Sequence, residues 1–299
     1  MLTRIGDSAQ SDRLLAALQA SSSRIRAEQL QAATGKRASS FDEISGDAGL
    51  LLRTREQQNL NQTYLQQNQQ VVDRLNAMDG ALSSLGDIAN RMRTLLTQQL
   101  DASSGSAVPL GQEVDTMLSE VASQLNLRLG DRYLFAGSRL DTAPVQLPAP
   151  PAGLSSPSAY YKGDGIIQTV RADQHVEVPY GVTADNPAFA SLIAAMDQAR
   201  TADSANDRAG LQSALDRIGD AVSQLSALRG QVGATGERLN TVTDRQQSTA
   251  TYLDDIVSRI EDADVPQTMA KLAQDQANLE AAYLTTSRLS QLTLADYLR

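Results

Sequence analysis

A seven-residue repeat runs through the last third of the chain. One position of the repeat is apolar with a single exception, and its residues are Leu211, Ile218, Leu225, Val232, Leu239, Gln246, Leu253 and Ile260. The position four residues further on is mixed in character: Leu215, Val222, Arg229, Gly236, Thr243, Ala250 and Val257. Such a sustained heptad predicts one long helix that packs along other helices. At 1.5 Å per residue this helix would be about 75 Å long, which suits a rod and not a compact globule.

Prolines separate this helix from an earlier helical part. Seven of the nine prolines lie between Pro144 and Pro187, and a proline in a helix interior costs roughly 3 kcal/mol. Upstream of them, apolar residues step by three and four, as on one face of a helix: Leu75, Met78, Leu82, Leu85, Ala89, Met92 and Leu96. A further helix is predicted over residues 111–129. We therefore predict a helical first part, a short non-helical middle and a helical last part.

The middle part has the pattern of a small β-rich lobe. Residues 168–173 and 175–178 alternate imperfectly between polar and apolar side chains, as strands do. Residues 162–165 carry two glycines suited to a tight turn. His175, the only histidine of the chain, falls in the second predicted strand. A histidine cluster for catalysis or metal binding is therefore excluded.

Both ends of the chain carry a thin apolar stripe. The N-terminal stripe consists of Leu14, Leu18 and Ile25, and the C-terminal stripe consists of Met269, Leu272, Leu279, Tyr283 and Leu284. Isolated short helices are marginal in water, and neither stripe is apolar enough to fold alone. We predict that these eight residues form the seam of a terminal coil, with each other or with a neighbouring molecule.

Residues 57–70 are rich in amides, since ten of the fourteen are Gln or Asn. Two interpretations of this segment are open. It forms a solvated helix face, or it forms a face that meets neighbouring subunits through amide hydrogen bonds.

The composition argues against several classes of function. The net charge of −9 gives no basic footprint for nucleic acid, and no basic amphipathic run suggests a membrane surface. Without cysteine, the chain has no disulfides, thiolate metal sites or cysteine nucleophiles. No apolar stretch has the length of a secretory signal or a membrane span, so neither is expected. We expect no cofactor and no metal.

Candidate catalytic groups are few. Five carboxylates lie between residues 254 and 264, but a solvated acidic face or a helix–loop junction explains them better than acid–base chemistry does. Three glycines between residues 230 and 236 fall inside the helical repeat, and not at a strand-to-helix turn where a phosphate loop forms. We therefore expect that the protein is not an enzyme.

Several segments resemble the flagellin superfamily. Residues 1–5 are similar to its opening, and residues 29–37 resemble the L-x-x-x-S/T-G-K-R signature that ends the first terminal helix. Residues 131–144 resemble the R-Y-L-F-A-G-x-x-x-D-T-x-P motif of the hook-associated protein 3 family, and its core is Arg132, Tyr133, Leu134, Phe135, Ala136 and Gly137. Residues 161–164 resemble that family's next motif, and residues 289–298 resemble its closing S-Q-L-x-L-x-D-Y-L. Residues 38–47 depart from the family, because Phe41 is present and proline is absent.

The resemblance implies a mainly α fold with a small β-rich insertion, in which long coiled-coil-like helices from both chain ends form an elongated rod. Residues 1–45 and 262–299 would form a terminal domain of paired helices. Residues 46–140 and 188–261 would form a helical rod domain with a hairpin near 131–144. Residues 141–187 would form the β-rich insertion.

The resemblance also implies a function. Such proteins are structural subunits of the bacterial flagellum that are exported unfolded by its type III apparatus. They assemble as a ring at the junction between hook and filament, and we expect their terminal helices to fold as they assemble. The implied partners are further copies of the chain, the first hook-associated protein, flagellin and a flagellar export chaperone. The implied location is the extracellular flagellum.

Three other functions compete with this interpretation. A filament flagellin shares the terminal coils and the export route. An intracellular coiled-coil scaffold would explain the heptads alone, without the family motifs. An enzyme carried by the β-rich insertion is more distant, because the insertion is short and has no cluster of metal ligands.

Overall fold

The computed structural model describes the backbone of residues 2–38, 40–101, 110–148, 151 and 153–297. Side chains are described for the same residues except 2–11, 41 and 288–297. The chain divides into two compact units, of which the first combines residues 1–60 with 250–299 and the second comprises residues 61–249. The first unit is therefore larger than the terminal segments 1–45 and 262–299, because it also includes residues 46–60 and 250–261.

Six α-helices and two small β-hairpins make up the described chain. The helices are α1 (Leu2–Thr34), α2 (Ala48–Asp101), α3 (Leu110–Leu125), α4 (Pro187–Ser204), α5 (Arg208–Glu261) and α6 (Val265–Tyr297). The strands are β1 (Arg128–Leu129), β2 (Arg132–Tyr133), β3 (Gln168–Asp173) and β4 (Val176–Tyr180). Strand β1 pairs with β2 and β3 pairs with β4, both in antiparallel orientation. The prediction of a mainly α fold with a small β-rich insertion is confirmed.

The apolar heptad of α5 is its buried face. All eight residues of the first heptad position are buried, including the polar Gln246. The second buried position lies three residues on and not four, because Ala214, Ala221, Leu228 and Val242 are the buried residues there. Small alanines at this position let a neighbouring element pack close to the helix. Arg229, which the sequence placed on the second seam, is exposed instead.

The core of the second unit lies among its four helices and the hairpins. The predicted face of α2 from Leu75 to Leu96 is buried against α3, α4 and α5 in one apolar cluster. Helix α4 has a capped start, since Pro187 is its first residue and the Asn186 side chain accepts a hydrogen bond from the Ala188 N–H at 3.0 Å.

Helix α3 is shorter than predicted. It ends at Leu125 and not at residue 129, and the side chain of the next residue, Asn126, binds a distant segment. The Asn126 amide donates to the Val145 carbonyl at 2.8 Å and accepts from the Val145 N–H at 2.9 Å. These two bonds imitate a strand pairing and free the chain to form the β1–β2 hairpin at Arg128–Tyr133, at the start of the expected range 131–144.

The β3–β4 hairpin lies where the sequence predicts two strands. Its inward side chains include Val170, Ala172, Val178 and Tyr180, which are buried. His175 lies in the turn between the strands and is exposed, so its placement in a strand was wrong. A turn needs no alternation of side chains, which is why the pattern did not fix its position.

Candidate assembly interface

Helices α1 and α6 pack against each other, and they carry all eight residues of the predicted seam. Ile25 is buried, and four further seam residues are half-buried: Leu14, Leu18, Leu272 and Leu279. An ion pair joins the two helices, with Arg24 Nε 3.1 Å from Asp275 Oδ2. This pair could not be predicted from the sequence, because charges 251 residues apart carry no local signal.

The other three seam residues are more exposed. Met269, Tyr283 and Leu284 are 54%, 54% and 58% exposed. Ile25, Leu279, Tyr283 and Leu284 line an open groove of about 500 Å³ beside the helix pair. The apolar stripe of α6 is therefore partly covered by α1 and partly open. In a chain of this kind an open apolar face is a candidate binding surface.

The G-K-R segment closes α1 and ties it to the end of α5. Gly35 has a φ of +69°, the left-handed conformation that ends many helices, and its N–H donates to the Gln31 carbonyl at 2.8 Å. The Arg37 N–H then donates to the Glu261 carbonyl at 2.6 Å, and the Ala263 N–H donates to the Gly35 carbonyl at 2.9 Å. The segments after α1 and before α6 thus pair like two short strands.

Charges reinforce this crossing. Lys36 Nζ lies 2.6 Å from Asp262 Oδ1 and 3.4 Å from Glu261 Oε2, and Arg55 also pairs with Glu261. The hydrogen bond between Lys36 and Asp262 raises the pKa of Lys36 and lowers the pKa of Asp262. The sequence left a solvated acidic face or a helix–loop junction open for these carboxylates, and Glu261 and Asp262 form an ion-pair cluster where α5 ends.

The motif residues Arg132–Gly137 lie in the second unit and differ in exposure. Leu134, Phe135, Ala136 and Gly137 are buried, whereas Arg132 is exposed. The Phe135 ring meets the edge of Phe189 at a centroid distance of 5.8 Å and an interplanar angle of 82°. The Phe135 carbonyl accepts from the Ala184 N–H at 2.9 Å. The motif therefore anchors the segment after β2 to the core.

Asp164 joins the two predicted family motifs. Its Oδ1 accepts from the Ser138 N–H at 2.8 Å and from the Ile166 N–H at 3.1 Å, and the Ser138 hydroxyl donates to its Oδ2. These bonds, led by the Ser138 hydroxyl, lower the pKa of Asp164. The Asp164 N–H donates in turn to the Ala136 carbonyl at 3.2 Å.

Gly163 serves this contact and not the tight turn that its sequence suggested. A Cβ at Gly163 would lie 2.4 Å from the Tyr161 hydroxyl and 2.6 Å from the Ala136 carbonyl. The glycine is therefore required by a close approach between two segments. A sequence shows the glycine but not the partner that approaches it.

Two general features bear on function. Within the described part of the chain, none of the helices combines the length and the apolar character that a membrane span requires. Among the residues with described side chains, no group of three or more His, Cys, Asp or Glu side chains is placed to hold a metal ion.

Comparisons with known proteins place the fold. Residues 215–298 match the family described as the bacterial flagellin C-terminal helical region. No curated protein matches the chain. A putative flagellar hook-associated protein from Vibrio parahaemolyticus superposes with a TM-score of 0.58 at 16% identity, over 74% of this chain and 100% of that one.

Two further solved structures agree. FlgL from Bacillus cereus superposes with a TM-score of 0.56 at 16% identity, over 70% of this chain and 99% of that one. The flagellar hook-associated protein 3 of Legionella pneumophila gives a TM-score of 0.56 at 13% identity, over 71% of this chain and 98% of that one. The chain has the flagellin-like fold of the hook-associated protein 3 structures, with a C-terminal region that matches flagellin.

Proposed function

We propose that this protein is a structural subunit of the bacterial flagellum that forms the junction between hook and filament, and that it is not an enzyme. The observation that carries the proposal is the agreement between the Arg132–Gly137 motif and the fold. The motif points to the hook-associated protein 3 family, and solved structures with that name share the fold of this chain. The proposed partners are copies of the chain, the first hook-associated protein, flagellin and an export chaperone, in the extracellular flagellum.

Assembly rests on the terminal helices. Ordering a residue costs roughly 1–2 kcal/mol of backbone entropy, and burial of apolar surface at about 25 cal/mol per Å² must offset it. The seam residues of α1 and α6 are at most half-buried apart from Ile25. The open face at Met269, Tyr283 and Leu284 leaves apolar area to be buried against neighbours. We therefore propose that the terminal helix pair becomes stable when subunits assemble.

Leu279→Asp tests this mechanism. The aspartate would place a charge in the groove and on the contact with α1, so we expect the variant to be absent from flagella. Ala281→Asp is the matched control, because Ala281 is exposed and lies about 200° around the helix from Leu279. Far-UV and near-UV circular dichroism should show that residues 61–249 stay folded in both variants. Normal motility and incorporation of Leu279→Asp would contradict the mechanism.

A filament flagellin is the second candidate, because the match at residues 215–298 is to the flagellin C-terminal region. Location separates the two. An epitope tag inserted at the exposed Gly153 would be detected by immunogold electron microscopy on intact flagella. Label at one point between hook and filament supports the junction subunit. Label along the whole filament supports a flagellin, and label confined to the cell interior supports a scaffold.

A further inference from the structure

Three amide side chains are buried where the β3–β4 hairpin meets α2 and α5. Asn68 of α2 and Gln246 of α5 both donate to the backbone carbonyl of Ala172, at 2.9 Å and 2.6 Å. Asn68 Nδ2 also lies 3.0 Å from Gln246 Oε1. Asn61 donates to the Gln246 backbone carbonyl at 2.8 Å. One oxygen of a strand is thus held by both helices.

The pairing of β3 with β4 leaves the Ala172 carbonyl without a partner residue. The pairing register of β3 and β4 shifts between Arg171 and Asp173, so Ala172 has no partner residue in β4. Ala172 is fully buried, so its carbonyl has no access to bulk water. A buried carbonyl without a partner costs free energy, and the two amides supply that partner.

The amides occupy positions where apolar side chains would pack without a desolvation cost. Gln246 stands in a heptad position whose other seven members are apolar, between Leu239 and Leu253. Asn68 is completely buried, and its Oδ1 has no hydrogen-bond partner among the described residues. A buried polar atom left unpaired is destabilising. Asn68 therefore contributes through its N–H donors, whereas its unpaired Oδ1 lowers the stability of the folded state.

Such a network is directional, whereas apolar packing is not. The inward residues Val170 and Val178 gain from burial at many positions on an apolar helix surface. The amides of α2 and α5 converge on one oxygen only when Ala172 lies between the two helices. We propose that Asn68 and Gln246 form an amide latch that fixes the β3–β4 hairpin at a single position on the α2–α5 pair. Without the latch, the hairpin undocks while the helices stay folded.

Amide hydrogen exchange of the full-length chain, followed by mass spectrometry, tests the latch. In Gln246→Leu and in Asn68→Leu, peptides covering residues 168–180 should exchange about tenfold faster, the factor expected when one or two buried hydrogen bonds are lost. Peptides from α3 and α4 should keep their wild-type protection. The double variant should exchange no faster than the faster single variant, because the two amides act on one oxygen.

Val232→Ala is the matched control for lost stability. Val232 occupies the same heptad position two repeats earlier and is buried, so its truncation weakens the core without touching the latch. In Val232→Ala, exchange in the hairpin should accelerate relative to the wild type by no more than exchange in α3 and α4 does. Gln246→Met keeps the length of the side chain and should reproduce Gln246→Leu. Hairpin protection at the wild-type level in Gln246→Leu and Asn68→Leu would overturn the proposal, as would equal acceleration throughout residues 61–249.

Discussion

Three glycines near the motif separate two reasons for requiring glycine. Gly130, in the β1–β2 turn, has a φ of +65°, and an added Cβ would meet nothing within 4 Å. At Gly163 the φ is not in the left-handed region, but a Cβ would lie 2.4 Å from the Tyr161 hydroxyl. Gly137 combines both conditions, with a φ of +72° and a Cβ position 2.2 Å from the Asp164 carbonyl oxygen. Alanine at Gly130 therefore measures the cost of the left-handed conformation, and alanine at Gly163 measures the cost of the close contact. Alanine at Gly137 measures both costs together.

The expected losses follow from these geometries. A left-handed conformation costs an alanine roughly 1–2 kcal/mol, and overpacking costs typically about 1–3 kcal/mol. Alanine also restricts the unfolded chain, which returns about 0.4–1 kcal/mol. We expect Gly130→Ala to lower the free energy of unfolding by about 1 kcal/mol and Gly163→Ala by about 1–2 kcal/mol. Gly137→Ala should lower it by about 2–4 kcal/mol, because both terms act at one residue.

Urea unfolding followed by tyrosine near-UV circular dichroism measures these values. The signal of the fully buried Tyr160 reports on residues 61–249, and the chain has no tryptophan to mask it. Linear extrapolation to water gives the free energy of unfolding for each variant. If Gly137→Ala cost no more than Gly130→Ala, the contact with Asp164 would not require a glycine. If Gly163→Ala left the free energy of unfolding unchanged, the segment 161–164 would shift at no cost, and the close approach would not be the reason for a glycine at this position.

Two other predictions concern the same unit. The bidentate hydrogen bond from Arg229 lowers the pKa of Asp79, so this pair stabilises the folded state above the unfolded-state pKa and stops doing so as the pH falls through the lower folded-state value. Asp79→Asn should therefore cost about 0.2–1 kcal/mol at pH 7, since the pair is partly exposed, and progressively less as the pH falls through the folded-state pKa of Asp79, as measured by urea unfolding. Phe135→Ala should cost about 3–5 kcal/mol, because the ring is completely buried against Phe189. Equal stability of Asp79→Asn and the wild type at pH 7, or a loss below 2 kcal/mol for Phe135→Ala, would contradict these assignments.

Periodicity predicted the helices well, because it records a burial pattern that the fold uses directly. The face of α2 from Leu75 to Leu96 and the first heptad position of α5 are buried as predicted. At the second position of α5 the buried residues lie three residues on, whereas Leu215 and Val222, four residues on, are half-buried against the same core. Both alternatives, three or four residues on, lie on the same side of a helix, and only the neighbouring elements decide between them.

Contacts between distant segments could not be predicted in the same way. Three such contacts join segments that are far apart in sequence. They are the ion pair between Arg24 and Asp275, the hydrogen bonds between Asp164 and Ser138, and the hydrogen bonds from the buried amides to the Ala172 carbonyl. Gln246 stood out as the polar member of an apolar series, and Asn61 and Asn68 lie in the amide-rich segment 57–70, but neither pattern indicated that these side chains meet. Their shared partner is a backbone carbonyl for Asn68 and Gln246, and no pattern of side chains indicates that.

The signature segments 29–37, 131–144 and 161–164 act mainly on the backbone. Gly35 ends a helix, Gly137 and Gly163 allow close approaches, and the carbonyls of residues on either side accept the bonds that hold them. Residues used in this way are buried or paired, so they set the shape of each unit and offer little surface to another molecule. The terminal unit leaves apolar side chains exposed on several helices, including Met269, Tyr283 and Leu284 on α6 and Leu15 and Leu30 on α1. Substitutions in the signatures should therefore act through folding, and substitutions on the open face of α6 should act through assembly.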